Sequence, residues 1–202
     1  MAGVAPDVRT IAVIGAGRVG RGIAQLAARG GYRTILEDLL PNALRRAESE
    51  IRMDLGRAVE SGGVSADAAQ AAISKLEFAG SVEDAARQAD LVIEAVPEEL
   101  ESKLEIFTLL DKICRPGTIL ASHLSSLSIS EIARVTYRAR NCLGMRFLEP
   151  IENEKRLEII RGQETDDATL AAAIAVGGRM GKTTVVIQDA SPGADPTSAT
   201  WQ

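Results

Sequence analysis

The chain has 202 residues, of which 46% are hydrophobic and 25% are charged, and its formal net charge is −5 at pH 7. These values indicate a globular domain of ordinary size and argue against a broad basic surface for nucleic acid. No apolar run approaches the roughly 20 residues needed to cross a bilayer, and the N-terminus lacks the basic-then-apolar pattern of a signal peptide. We therefore expect a cytoplasmic protein that contacts neither a membrane nor nucleic acid.

Short apolar, β-branched runs alternate with segments of helical spacing along most of the chain. The predicted strands are 10–14, 34–36, 76–78, 91–96, 118–122, 142–148, 156–160 and 183–187. The predicted helices are 18–30, 41–61, a short one capped at 65–67, one through Ala85, 99–114, one opened by Ser128 and Glu131 as a capping box, and one from Asp166 or Asp167 to near Gly181.

This regular alternation predicts an α/β fold with a doubly wound, mostly parallel sheet of Rossmann type and helices on both faces. We expect one domain over residues 1–189. Residues 190–202 are turn-rich and small, so we interpret them as a loose tail. The two cysteines, Cys114 and Cys142, are too few for a disulfide framework, and no spacing indicates a metal site.

A glycine-rich turn, G-A-G-R-V-G, follows the first predicted strand and opens a helix. Gly15 would permit the tight turn, Gly17 would let the backbone approach a diphosphate, and Gly20 would let helix and strand pack closely. Asp38 stands at the end of the next strand, where a carboxylate can accept hydrogen bonds from an adenosine ribose and repel a 2′-phosphate. The pattern predicts NAD rather than NADP; a glycine turn without a nucleotide is the alternative.

Beyond this pattern, the sequence resembles the NAD-binding domain of the 3-hydroxyacyl-CoA dehydrogenase family. The motifs that carry the resemblance are I-A-V-I-G-A-G-R-V-G-R-G-I-A-Q, L-V-I-E-A-V-P-E-E-L-E-S-K, S-S-L-S-I-S-E-I-A, L-E-I-I-R-G and G-K-T-T-V-V-I. Motif and resemblance together imply cofactor contacts at Gly15, Gly17, Arg18, Val19, Gly20, Asp38, Ala95, Val96, Glu98, Lys103 and Ser125. Solvated helix charges at Glu98 and Lys103, and a turn serine at Ser125, are the alternatives.

The resemblance implies hydride transfer between NAD and the C3 alcohol of an acyl thioester, with Ser125, Arg146 and Glu158 at the catalytic positions. The family moves the alcohol proton with a His–Glu pair. This chain keeps the glutamate as Glu158, but the histidine of the family's G-M-H-F-F-N-P is Arg146 and its asparagine is Glu149. An arginine stays protonated and cannot serve as a base, so impaired or altered turnover is expected. An ion pair with Glu158 or oxyanion stabilisation are the roles left to Arg146.

Two other positions differ from the family pattern. His123, the only histidine, stands where the family has asparagine and is a candidate replacement base, although a structural role is the alternative. Asp54 and Ser61 fall where family members use a hydroxyl residue and a lysine to hold coenzyme A, which points weakly to another acyl carrier, such as a carrier protein.

Where the family continues into a helical domain that closes the cleft and forms the dimer, this chain reads S-P-G-A-D-P and stops. We therefore expect a truncated form, as a homodimer or with a partner chain that supplies the missing helices. Two interpretations stay open: an altered dehydrogenase, or a non-catalytic NAD-binding module.

Overall fold

The computed structural model describes residues 6–189. The strands are β1 (Thr10–Ile14), β2 (Arg33–Glu37), β3 (Leu76–Ala79), β4 (Leu91–Glu94), β5 (Ile119–Ser122), β6 (Cys142–Phe147), β7 (Arg156–Arg161) and β8 (Thr183–Gln188). The helices are α1 (Arg18–Arg29), α2 (Pro41–Glu60), α3 (Ala66–Ile73), α4 (Val82–Ala86), α5 (Leu100–Ile113), α6 (Ile129–Ala133) and α7 (Asp167–Arg179), with a 3-10 turn at Ala139–Asn141. The predicted tail, 190–202, lies outside the described residues.

The strands form one eight-stranded sheet in the order β3-β2-β1-β4-β5-β6-β7-β8. Every neighbouring pair is parallel except β6 and β7, which are antiparallel. These two strands are consecutive in the chain and no crossover helix lies between them, so the chain turns back directly and β7 runs antiparallel to β6. The predicted doubly wound, mostly parallel sheet is confirmed.

An apolar layer covers each face of the sheet. On one face, β-strand side chains such as Val13 and Ile93 pack beneath α1, α2, α3 and α7; on the other, their neighbours Ala12 and Val92 pack beneath α4, α5 and α6. All five residues of β1 are buried, which explains its continuous apolar sequence. The central strands therefore have fixed positions, and their carboxyl ends meet along one edge.

Local signals explain most helix boundaries. Pro41 occupies the first turn of α2, and Ser65, Ser81, Ser128 and Asp166 each cap a helix by accepting a backbone N–H group. Among residues 6–189, no helix combines the length and apolarity that crossing a membrane requires.

One predicted strand boundary is wrong. β4 ends at Glu94 and not at Val96, because the Glu94 side chain accepts the backbone N–H of Val96 at 2.7 Å. The chain turns out of the sheet at that bond.

Candidate dinucleotide and substrate site

The glycine turn between β1 and α1 leaves room for a ligand at one position and none at the others. Gly15 has φ +100, and a Cβ built there would lie 3.0 Å from the Ala95 carbonyl oxygen. A Cβ on Gly20 would lie 1.8 Å from the Gly15 carbonyl oxygen, whereas one on Gly17 would meet no described atom within 4 Å. Gly15 and Gly20 are thus required by packing, and Gly17 faces the open side of the turn.

The N-terminus of α1 is suited to an anion. Gly17 is the cap residue, so no side chain of the cap accepts the first N–H groups, and the first turn contains no acidic residue. That turn begins with Arg18 and Val19; Arg18 is exposed, and Val19 packs against the core. Unpaired amides, the helix dipole and the arginine together favour a diphosphate.

Asp38 lies beside this turn. Its Oδ2 accepts the Ala16 N–H at 2.9 Å and its Oδ1 accepts the Leu40 N–H at 2.9 Å. The structure therefore brings together the three glycines, Asp38 and the β4–α5 turn at Ala95 and Val96, because β1, β2 and β4 are adjacent in the sheet. Open space at Gly17 and a carboxylate next to it fit a dinucleotide whose adenosine ribose carries no 2′-phosphate.

Lys103 is fully buried beneath this edge rather than exposed along it. Its Nζ lies 2.8 Å from Oε1 of Glu94, which is also fully buried, and 3.0 Å from the His123 carbonyl oxygen. Burial raises the pKa of Glu94, and the positive charge of Lys103 opposes that effect. A direct NAD contact by Lys103 stays a prediction; in this structure the side chain ties β4 to the end of β5.

Sequence reasoning missed Glu94 and Ser122, which complete this buried cluster. The Ser122 hydroxyl donates to Oε2 of Glu94, and it also lies 3.4 Å from the Lys103 Nζ. The signal was a glutamate at the end of an otherwise apolar strand. A charged residue in such a position is stable only beside a buried partner.

Glu98 organises the loop that follows β5. Its Oε1 accepts the N–H groups of Ser125 and Ser126, both at 2.8 Å, and that of Leu127 at 3.2 Å. Burial alone would raise the pKa of Glu98, but these backbone donors outweigh it and lower the pKa below the usual value. Glu98 therefore holds the exposed Ser125 in place from the cofactor side.

Arg146 holds the same loop from the other side. Its Nε donates to the Leu124 carbonyl oxygen at 2.9 Å, its Nη2 to the Ser125 carbonyl oxygen at 2.6 Å, and its Nη1 to Oε2 of Glu158 at 2.9 Å. Oε1 of Glu158 is in turn paired with Arg156 at 2.7 Å. The structure thus brings Glu98, Ser125, Arg146 and Glu158 together in one connected group.

His123 lies next to this group, half-buried at the end of β5. The backbone N–H of Phe147 points at its Nδ1 across 3.4 Å, and the two rings are 6.4 Å apart. Burial is the largest cause that lowers the pKa of His123 below its ordinary value. This shift favours the neutral imidazole, in which the lone pair of Nδ1 faces the Phe147 N–H.

Glu149, in the loop after β6, contacts the start of α1. Its carboxylate forms an ion pair with Arg18 of the glycine turn, and both side chains are partly exposed. The position that is asparagine in the family motif thus contacts the residue that would face the diphosphate. The spacing in the sequence did not predict this contact.

A cavity of about 680 Å³ opens between α1, α2 and the loop before β7. Its lining includes the carrier candidates Asp54 and Ser61, together with Arg21, Arg29 and Arg57. Asp54 is paired with Arg57 and lies 3.9 Å from Arg21. Its negative charge is therefore compensated. Within residues 6–189, no cluster of three or more histidine, cysteine or acidic residues is arranged to hold a metal.

The fold and the glycine turn define a dinucleotide-binding domain of the Rossmann type. The family model described as the NAD-binding domain of 3-hydroxyacyl-CoA dehydrogenase matches residues 10–190. The chain belongs to this family, and its cofactor is NAD.

Curated relatives give the same result. The chain is 39% identical over 183 residues to a probable 3-hydroxybutyryl-CoA dehydrogenase of Bacillus subtilis (91% of this chain), and 36% identical over 186 residues to a 3-hydroxybutyryl-CoA dehydrogenase of Bradyrhizobium diazoefficiens (92% of this chain). It spans 63% of the length of each of these two relatives.

Solved structures agree on the fold. The crystal structure of (S)-3-hydroxybutyryl-CoA dehydrogenase from Ralstonia eutropha superposes with a TM-score of 0.88 at 32% identity, over 93% of this chain and 65% of that one. The 3-hydroxybutyryl-CoA dehydrogenase of Escherichia coli K12 gives 0.87 at 33% identity, over 91% of this chain and 39% of that one.

Proposed function

We propose that the chain is the cofactor domain of a 3-hydroxyacyl-CoA dehydrogenase-like oxidoreductase. It would transfer hydride between NAD and the C3 position of a 3-hydroxyacyl or 3-ketoacyl thioester, with activity reduced or altered at the proton-transfer step. The observation that carries this proposal is the connected group around Ser125, which joins Glu98 of the β4–α5 turn to an Arg146–Glu158 pair where its relatives' family uses histidine and glutamate.

Bound NAD supplies the hydride acceptor or donor, and the protein must position the substrate and manage one proton. Ser125 is exposed between the two halves of the site, where its hydroxyl can hydrogen-bond the substrate oxygen or the carboxamide of the cofactor. Its backbone is held at both ends, by Glu98 and by Arg146. This fixed backbone favours a defined orientation of the hydroxyl.

Removal of the alcohol proton is the difficult step in this site. Arg146 cannot accept a proton, and both carboxylate oxygens of Glu158 are engaged by arginines. Loss of a general base lowers a rate by roughly 10²–10⁴-fold. Neutral His123 is the other candidate base in this part of the chain, and Nδ1 already faces the Phe147 N–H.

The reductive direction places less demand on a base. Arg146 uses three of the five N–H groups of a guanidinium in the described contacts, so N–H groups on its terminal nitrogens can still point at a substrate oxygen. A carbonyl oxygen that gains charge as hydride arrives would be stabilised there. The proton would then come from water.

An acyl thioester could be held by the cavity between α1 and α2. Three arginines line it, and the Asp54 charge that would repel a phosphate is compensated by Arg57 and Arg21. We therefore keep coenzyme A as a carrier, alongside an acyl carrier protein. A homodimer, or a partner chain that completes the substrate pocket, and a cytoplasmic location stay predictions of the sequence.

The second candidate function is a non-catalytic NAD-binding module. The specific observation in its favour is that Arg146 joins the Leu124 and Ser125 carbonyl groups to Glu158, which is the work of a structural clamp rather than of a catalyst. In this case the cofactor turn is functional and the reaction is lost.

Calorimetry with NAD and NADH, followed by steady-state reduction of acetoacetyl thioesters on coenzyme A and on a carrier protein, tests the proposal. We expect dinucleotide binding and slow turnover by the wild type. Arg146→His restores a group that can return the proton in reduction as well as accept it in oxidation, so it should raise turnover by roughly 10²–10⁴-fold. Arg146→Lys, which keeps only the positive charge, should not. Binding without turnover in both the wild type and Arg146→His would favour the module.

A further inference from the structure

Glu37 is a buried carboxyl group whose hydrogen-bonding capacity is not satisfied. It is the last residue of β2, only 2% of it is exposed, and its Oε1 has no hydrogen-bond partner within residues 6–189. Protein interiors satisfy nearly all polar atoms, so such an oxygen requires an explanation. Burial, and then the charge of Asp38, raise the pKa of Glu37 to about 7. A ligand that donates a hydrogen bond would relieve this cost.

The strand register fixes the face on which Glu37 lies. Glu37 pairs with Ile14 of β1 and with Ala79 of β3, and both of these side chains pack into the apolar layer beneath α4 and α5. Paired residues on neighbouring strands point to the same face of a sheet. Glu37 therefore lies on the face opposite α1, at the edge where a dinucleotide bound to the glycine turn would cross the strand ends.

The next residue places the ribose beside Glu37. Asp38 contacts the glycine turn through Ala16 and is the predicted partner of the adenosine ribose. Because α1 covers the other face of the sheet, a base attached to that ribose would lie toward the α4–α5 face. There, the half-buried side chains of Ala79 and Val96 offer apolar surface to a flat ring. The only acceptor beneath that surface that lacks a partner is Oε1 of Glu37, counting described residues alone.

We propose that Glu37 accepts a hydrogen bond from the exocyclic amino group of adenine and so selects an adenine base over a 6-oxo purine. The inference rests on the NAD site and adds recognition of the base to it. Adenine carries an amino donor at this position, whereas hypoxanthine carries a carbonyl acceptor. The carbonyl oxygen of hypoxanthine would face Oε1 of Glu37 with no hydrogen between the two oxygens, and this mismatch disfavours binding.

Isothermal calorimetry of the full chain with NAD and with nicotinamide hypoxanthine dinucleotide tests the proposal. At pH 8, where the Glu37 carboxyl is ionised, the wild type should bind NAD roughly 10- to 100-fold more tightly than the hypoxanthine analogue, as expected for one hydrogen bond to a charged group. Glu37→Leu should lose this preference. Glu37→Gln, whose amide oxygen still accepts a hydrogen bond, should keep part of it.

Two control variants separate base recognition from other effects. Asp38→Asn, also measured at pH 8, should weaken both dinucleotides equally and leave their ratio unchanged, because it acts on the ribose and Glu37 is ionised at that pH with or without the Asp38 charge. Glu83→Gln makes the same chemical change on the exposed side of α4 and should alter neither affinity. Circular dichroism melts establish that each variant is folded.

Two results would overturn the proposal: a wild-type ratio near one, or an equal loss of both dinucleotides in Glu37→Leu, which would place the carboxyl on the ribose. Failure of the wild type to bind NAD would overturn the cofactor site and, with it, the recognition of the base.

Discussion

Arg146 and Glu158 face each other as a directly paired couple across the antiparallel strands β6 and β7, with Nη1 2.9 Å from Oε2. The pair occupies the position at which the family's proton-transfer dyad is expected. Because the guanidinium also donates to two carbonyl oxygens of the Ser125 loop, the couple joins that loop to the sheet. The glycine turn and Asp38 follow other strands, β1 and β2, and have no hydrogen bond to this pair among the described residues.

Removal of the Glu158 carboxylate should loosen this arrangement. Glu158→Gln leaves two arginines without their anion, so we expect the free energy of unfolding to fall by about 1–3 kcal/mol, below the full cost of a buried pair because both arginines are partly exposed. Urea denaturation measures the change. Glu48→Gln, in an exposed pair with Arg52, is the control and should stay within about 0.5 kcal/mol of the wild type. Equal effects of the two variants would argue against a clamp.

The buried Lys103–Glu94 ion pair should be far more sensitive to the loss of one partner. Lys103→Met leaves Glu94 charged, fully buried and without its cation, so the free energy of unfolding should fall by about 3–5 kcal/mol. Lys112→Met, on the exposed side of the same helix, should change it by less than about 0.5 kcal/mol.

The double variant Lys103→Met/Glu94→Leu completes that experiment. It removes both charges together, so it should recover most of the loss. A double variant no more stable than Lys103→Met would mean that the cost came from packing rather than from an unpaired charge.

Stability should depend on pH through Glu37. Its pKa is raised from 4.5 to about 7 in the folded chain, so the folded form keeps a proton that the unfolded form releases between these values. The free energy of unfolding should therefore fall as pH rises from 4.5 to 7, by about 3 kcal/mol in total from this group.

Glu37→Gln removes this dependence. We expect the variant to match the wild type in free energy of unfolding near pH 4.5 and to exceed it by about 3 kcal/mol at pH 8. Denaturation curves of both proteins at a series of pH values test this. A difference that does not vary with pH would contradict the raised pKa.

Two glycines of the cofactor turn should respond differently to the same substitution. Gly20→Ala places a methyl 1.8 Å from the Gly15 carbonyl oxygen, so it should destabilise the fold by about 1–3 kcal/mol as well as weaken NAD binding. Gly17→Ala has open space and φ −66, so it should fold normally and lose affinity alone, because its methyl occupies the approach of the diphosphate. Thermal melts and calorimetry separate the two. Unchanged NAD affinity in Gly17→Ala would show that the diphosphate does not cross the turn.

The sequence alone was sufficient for the order and type of the elements, the family and the cofactor. Apolar runs, glycine and proline residues and capping residues act over a few positions, so most strand and helix boundaries could be predicted to within one residue. The end of β4 could not, because a bond from Glu94 to Val96 determines it. The glycine turn and Asp38 were also predictable, since their spacing reflects a local strand–turn–helix unit.

Only the tertiary structure decided what the charged side chains do. Lys103 is buried against Glu94, Arg146 joins a loop to a neighbouring strand, and Glu149 contacts the glycine turn. Oε1 of Glu37 is buried and has no hydrogen-bond partner among residues 6–189. The partners of these groups come from elements far apart in the chain. Sequence patterns describe one segment at a time, whereas burial and pairing of charge depend on which segments the parallel strands bring to the same edge.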